Sequence, residues 1–358
     1  MDKARLLDFA QKIKNMAKHG LEYLRGINIR ERLQILWINI KNIKPRKLRR
    51  LYKRISKKIS SSWKMLLSAG SCFLFVYYVL GSMLVENMDV TSGYQLPKNN
   101  QHKSEIANTL AFLINREIDS KMWTPNLPII FPAYVLDNMP NFQTGIMASV
   151  RDGAITLKNF VNKTGEQQKN TKKAEELLRY PPHIWLMSKK GSFGLAPSAN
   201  AQYRKARSEL LKFNKADFTI YYSDFETYLR KLSNALRLLI QKNDSQVIEH
   251  SASLLDTKAD DVFYKTRGYA FGAWQIARAA GFDFKPLIVQ NDIYTEWTYL
   301  VSYLQKAAEF KPLMVRNGKP DGIFGANHLI VQNYYLERAL VAVSQIQTKL
   351  QEKNAHKN

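Results

Sequence analysis

His250 follows Glu249 in VIEHS, and His328 follows Asn327 in GANHLI. An imidazole beside a carboxylate, or at the start of a helix, is common material for acid–base catalysis and for metal binding. Adjacent residues point about 100° apart on a helix, so Glu249 and His250 cannot hold one metal without ligands from elsewhere. No HExxH is present, and Val247 and Leu254 share the stripe of His250, which favours a half-buried structural histidine. Asp256, Asp260 and Asp261 could give oxygen ligands to a divalent cation, but they suit equally the first turn of a helix, where carboxylates cap free N–H groups. Glu249, His250 and His328 are the low-ranking catalytic candidates; neither a metal site nor a cofactor is expected.

A second set could bind rather than react. Arg267 shares a helical face with Phe263 and Trp274, and could receive an anion in a pocket or fix helix register through an ion pair or a cation–π contact. Asn327 and His328 follow a glycine-rich loop, where backbone amides could hold an anion, although Asn327 is equally a plain N-cap. Thus Arg267, Asn327 and His328 are the anion- or partner-binding candidates. Other signatures fail. GSFG at Gly191–Gly194 is not a nucleophile elbow, and GKPDG at Gly318–Gly322 lacks P-loop spacing. The one cysteine, Cys72, leaves no thiol chemistry after residue 85.

The elements that would carry these residues are helical. Ile106, Leu110, Leu113, Ile114 and Ile118 form one stripe, and Phe142, Ile146, Val150, Ala154, Leu157 and Val161 another, with Asn141 as its expected N-cap. Ser223 and Glu226 suggest a capping box ahead of Leu229, Leu232, Leu236, Leu239 and Ile240. A further helix is predicted from Asp256 to a stop at Gly281, and two more over 292–309 and 327–352. Phe218–Tyr222 could form one short strand. Between helices, 121–141 holds Pro125, Pro128, Pro132 and Pro140. Trp123, Phe131, Tyr134 and Trp185 in the loops are expected either to form a partner surface or to plug gaps between helices.

Upstream, Met65–Val85 is a run of 21 residues without an ionisable acid or base. At about 1.5 Å per residue it reaches roughly 31 Å, the hydrocarbon thickness of a bilayer. Its long leader and poor cleavage site argue against a signal peptide. Residues 44–64 carry ten Lys and Arg and no acid, and the net charge is +15 over residues 1–64 against +9 over residues 86–358. Flanking positive charge stays in the cytoplasm, so the expected topology is N-terminus inside and C-terminal part in the periplasm of a Gram-negative cell. Leu48, Leu51, Tyr52, Ile55 and Ile59 recur at helical spacing, so Lys47, Arg49, Arg50, Lys53, Arg54, Lys57 and Lys58 could also lie on the anionic inner leaflet. Upstream, Leu6, Phe9, Ile13 and Met16, then Leu33, Leu36, Trp37 and Ile40, extend this amphipathic pattern. Nucleic acid is a weaker alternative partner, since no recognition motif accompanies the charge.

The expected fold is all-α: a single N-terminal transmembrane helix plus a multi-helix bundle ectodomain. It divides into a basic cytoplasmic segment (1–64), the span (65–85), a first helical lobe with a Pro-rich connection (86–180), a linker (181–200) and a main bundle (201–358). LDNMPN (Leu136–Asn141) leading into VRD (Val150–Asp152), FYKTRGYA (Phe263–Ala270), and Asn317-Gly318 followed by GIFGANHLI (Gly322–Ile330), together with the span, resemble the proteobacterial family labelled domain of unknown function 2333. The resemblance covers roughly residues 65–350. It implies an inner-membrane-anchored helical protein, and no catalytic residue is carried over from it. The combined reading is a single-pass envelope protein with a structural or interaction role and an expected protein partner in the envelope. The alternative is an envelope hydrolase or lyase built on Glu249, His250 or His328.

Overall fold

The computed structural model describes residues 45–355 apart from 87, 99–102, 162, 186, 191–193, 251–255 and 321–325. The amphipathic stripes expected in residues 1–44 lie outside these, as do the side chains of Leu48, Leu51, Tyr52, Ile55 and Ile59. The chain divides into two compact units, Met1–Leu74 and Phe75–Asn358.

Helix α1, Pro45–Val85, is 41 residues long, so the basic stretch and the apolar run belong to one continuous helix. Within it Trp63–Val85 is long and apolar enough to cross a membrane, and none of that window is buried in the protein. Arg50, Lys53, Arg54 and Lys57 are exposed on the basic part, while the side chains of Lys47, Arg49 and Lys58 lie outside the described residues.

Among the described residues the regular structure of the second unit is helical apart from one hairpin. Its helices are α2 (Glu105–Asn115), α3 (Asn138–Lys158), α4 (Gly165–Leu178), α5 (Ala199–Phe213), α6 (Tyr222–His250), α7 (Thr257–Asp283), α8 (Lys285–Gln290), α9 (Tyr294–Glu309) and α10 (His328–Ala355). Strands β1 (Met187–Lys190) and β2 (Gly194–Pro197) pair antiparallel. No break in the core marks 181–200, because α4 and α5 on either side of it pack together. The expected strand at 218–222 is not formed: 218–221 have no regular structure and Tyr222 opens α6, with Phe218 buried against Phe160 and Phe213. Helix α7 runs past Gly281 to Asp283, since Gly281 serves to admit the indole of Trp297, not to stop the helix.

Helix α7 is the hub, in contact with α2, α3, α6 and α9. Against α3 it packs backbone to backbone. A side chain on Gly268 would overlap the carbonyl oxygen of Phe142, and one on Gly145 would overlap that of Lys265. Gly272 lies equally close to Ser149, and Gly153 admits Leu110 and Ile276. The pairs Phe142–Gly268, Ser149–Gly272 and Gly153–Ile276 show that the two helices run in the same direction. Small residues four apart on each helix make this approach possible, as ridges of larger side chains would hold the axes apart.

Two polar devices fix the neighbours. Asp283, at the end of α7, accepts hydrogen bonds from the backbone N–H of Glu105 and Ile106 (2.8 and 3.0 Å) and from Ser104 Oγ (3.1 Å), closing the start of α2. Helix α2 continues into a π turn, Arg116–Ser120, that holds a buried ion pair between Arg116 and Glu117. Glu117 also accepts from Gln143 Nε2 on α3 (3.1 Å), and Arg116 lies over the ring of Phe271 at 4.5 Å. Arg116 also donates to Asp89 O, Gln275 accepts from Tyr94 N (3.2 Å), and the Tyr94 hydroxyl donates to Glu105 (2.8 Å). The chain leaving α1 is thereby tied to the centre of the bundle.

Two outcomes follow for the unfolding of the detergent-solubilised protein in urea. Gly268→Ala is expected to cost about 2–4 kcal/mol because backbone cannot yield to the new methyl; Gly165→Ala, whose added carbon meets nothing within 4 Å, should stay within about 1 kcal/mol of the parent. Burial pushes the Asp283 carboxyl up to about 7, outweighing the hydrogen bonds that favour its anion. A carboxyl raised on folding binds its proton more tightly in the folded state, so its contribution to stability falls as pH rises from about 4 to 7. Asp283→Asn should therefore cost roughly 2 kcal/mol more at pH 5 than at pH 8; an equal cost at both would show that Asp283 is ionised throughout.

Candidate functional site

His250 closes α6, with Nδ1 4.0 Å from the exposed carboxylate of Glu249. His328 opens α10; its Nδ1 accepts from the Arg316 amide (2.9 Å) while its own amide donates to Arg316 O (3.0 Å). Burial, then the Arg316 charge, holds the His328 imidazole below its usual pKa. Among the described residues no group of three His, Cys, Asp or Glu is arranged to hold a metal.

Asn327 and Asn317 form a latch. Asn327 Oδ1 caps α10 by accepting from Leu329 N and Ile330 N (both 3.1 Å), and Nδ2 donates to Asn317 Oδ1 (2.7 Å) and Gly318 O (2.6 Å). Asn317 Nδ2 donates in turn to Gln246 O (3.0 Å) and to Asp256 (2.8 Å). Asp256 accepts from Gln246 as well, and caps α7 through Lys258 N and Ala259 N. Asparagine can do this because its amide donates and accepts at once. The side chain of Asn327 thus takes the N-cap alternative, with its amide spent inside the protein.

Arg267 likewise takes its structural alternative, a cation–π contact. It is 1% exposed, donates from Nε to Ala308 O (2.9 Å) and lies over the Phe142 ring at 5.2 Å. Burial lowers its pKa from the usual guanidinium value. It ties α7 to the end of α9 and offers nothing to a ligand from solution. A small cavity between α3, α6 and α7 is lined by Asp152, Tyr228, Lys231 and Tyr269, with the Tyr269 hydroxyl donating to Asp152 (2.8 Å). Its volume of about 30 Å³ suits one water, whereas small-molecule sites run to about 300–1,000 Å³.

The loops tell a different story. Trp123 is 2% exposed, packs edge-on against Tyr203 and donates Nε1 to Pro182 O, so it is a plug between helices and no part of a surface. Phe131 is half-buried edge-on against Trp185, itself 37% exposed, and Tyr134 is exposed. Beside them stand Ile129 and Ile130, 62% and 65% exposed, and Met122, 46% exposed. The carbonyls of Ile129 and Ile130 accept hydrogen bonds from the hydroxyls of Tyr78 and Tyr77 on α1 (2.8 Å for Tyr77), and Pro132 packs on Gly81. The sequence reading passed over the two isoleucines and the two tyrosines. Their signal was the absence of any charge from Met122 to Leu136 and the paired tyrosines inside the apolar run.

The segment reaches this position because α3 starts directly after it. The N-cap of α3 is Asp137, which accepts from Asn138 N, one turn earlier than the expected Asn141. Asn141 is spent on Asp137 O and on Asp261 (2.6 Å), joining the starts of α3 and α7. Burial and the nearby Asp137 and Asp261 push Asp260 up to about 6.

Among the described residues the chain is a helical bundle carrying one candidate membrane helix. A family described as uncharacterized protein conserved in bacteria (DUF2333) matches residues 126–353, and the chain belongs to that family. No curated protein and no solved structure matches it.

The latch gives a measurable coupling. Asn317→Ala and Asn327→Ala are each expected to cost about 1–3 kcal/mol in urea unfolding, since each strands buried partners. Their double-mutant cycle should show at least about 0.5 kcal/mol of coupling; strictly additive costs would mean the two amides act separately.

Proposed function

We propose that the protein is a single-pass inner-membrane component of the bacterial envelope, with a cytoplasmic N-terminus and a helical periplasmic domain that acts by interaction with an envelope protein and not by catalysis. The observation that carries this is the surface of α1. Met65, Phe75 and Met83 are each 68–69% exposed, and among the described residues none of the apolar window is buried in the protein. Water does not tolerate such a continuous apolar cylinder, whereas a bilayer does. The charge of +15 ahead of the span favours retention of the N-terminus on the cytoplasmic side. Exposed Arg50, Lys53, Arg54 and Lys57 add attraction to anionic lipid on that side. Of the residues on which the alternative hydrolase or lyase reading was built, Glu249, His250 and His328, Nδ1 of His328 is engaged by the Arg316 amide.

A C-terminal tag tests the topology. Digestion by added protease is expected once the outer membrane alone is permeabilised. A tag protected until the inner membrane is lysed would place the domain in the cytoplasm and overturn the proposal.

A further inference from the structure

The exposed apolar residues of the loop before α3 stand beside the apolar helix, and the hydrogen bonds between the two fix the level at which they meet. Tyr77 and Tyr78 lie about two turns before the end of α1 at Val85, roughly 11–12 Å along its axis. Whatever surrounds α1 at that level also surrounds the segment bonded to it. We propose that Pro128–Tyr134 is a second membrane contact, a re-entrant apolar loop that enters the same leaflet as the C-terminal part of the span, clamped there by Tyr77 and Tyr78. This rests on the membrane-anchor reading above and gives that anchor a second point of attachment.

Lipid is hostile to backbone whose polar groups lack partners, so non-helical chain enters hydrocarbon only where its N–H and C=O groups are satisfied within the protein. The loop meets much of that requirement. Four consecutive carbonyls are occupied: Pro128 O accepts from Phe131 N (2.9 Å), Ile129 O from Tyr78, Ile130 O from Tyr77, and Phe131 O from Tyr134 N (3.0 Å). Pro128 and Pro132 bring no N–H to satisfy. No Asp, Glu, Lys or Arg occurs from Met122 to Leu136. The residues at the tip, Ile129 and Ile130, are aliphatic, and those behind them, Phe131, Tyr134 and Trp185, are the aromatic types that settle at the membrane–water boundary. Gly81 allows the close approach, since a side chain there would strike the Pro132 ring. The aromatic surface expected to hold a protein partner is thus assigned to lipid.

The test uses three full-length proteins with one cysteine each: the parent, whose Cys72 lies in the span; Cys72→Ser with Ile130→Cys; and Cys72→Ser with Leu238→Cys on the exposed face of α6. Each is labelled with an environment-sensitive fluorophore, reconstituted in phosphatidylethanolamine–phosphatidylglycerol vesicles, and read by quenching from lipids brominated on the acyl chain. Labels at 72 and 130 are expected to be quenched at least about threefold more than the label at 238, because only they would touch acyl chains. If the label at 72 is quenched and that at 130 matches 238, the loop is covered by water or protein, and the inference fails while the anchor stands. If the label at 72 is not quenched, the anchor reading itself fails. Adding Tyr77→Phe and Tyr78→Phe to the residue-130 protein should reduce its quenching; undiminished quenching would overturn the role of the two hydroxyls.

Discussion

Helices α3 and α7 touch backbone to backbone because Gly145, Gly268 and Gly272 put no side chain between them. The close approach brings Arg267 over Phe142 and Arg116 over Phe271, and it lets Gln143 reach Glu117 in the π turn. Each of these charged or amide groups is buried, and the contact of Arg267 on α7 with the Phe142 ring on α3 holds only while the two axes stay close. Separating them would leave polar groups in a low-dielectric interior, where an unpaired group costs far more than an exposed ion pair contributes. The other helices pack around this pair, α2 through Asp283 and α9 through Arg267 and the indole beside Gly281.

The parallel course of the pair also sets the position of the proposed membrane contact. Both helices begin at the same end, where Asn141 joins Asp261, and the Pro-rich loop enters α3 at that end. The loop in turn meets α1 through Tyr77, Tyr78 and Gly81. On the other side of the same junction, Arg116, Gln275 and Glu105 tie the chain that leaves α1 to the bundle. Span and bundle are therefore connected twice, once by the covalent chain held in place and once by the loop.

Much of the architecture was legible because helical periodicity is local. The stripes through Ile106, Phe142 and Leu229 became α2, α3 and α6, and Asp256 caps α7 as its position suggested. Gly268 and Gly272 in GYAFG, and Gly145 and Ser149 in GIMAS, carried the spacing of a close helix contact, but which helices meet is decided by tertiary packing that no single stripe encodes. Arg267 and Trp123 each had two readings left open by the sequence, and the structure takes the interior one for both. Both types can serve a surface or an interior, and only burial tells the two apart. Ile129 and Ile130 were overlooked because an apolar dipeptide between prolines resembles any loop until its neighbours on α1 are known.

The most direct measurement of the central claim is native-state hydrogen exchange on the full chain in lipid nanodiscs. The amides of Ile146 and Val150 in α3 and of Phe271 and Gly272 in α7 are expected to exchange only with global unfolding, and to share one protection free energy across the pair. The amides of α4, at the edge of the bundle, should open earlier. If the centre of α7 exchanged by local opening while α4 stayed protected, the glycine contact would not be the element on which the fold depends.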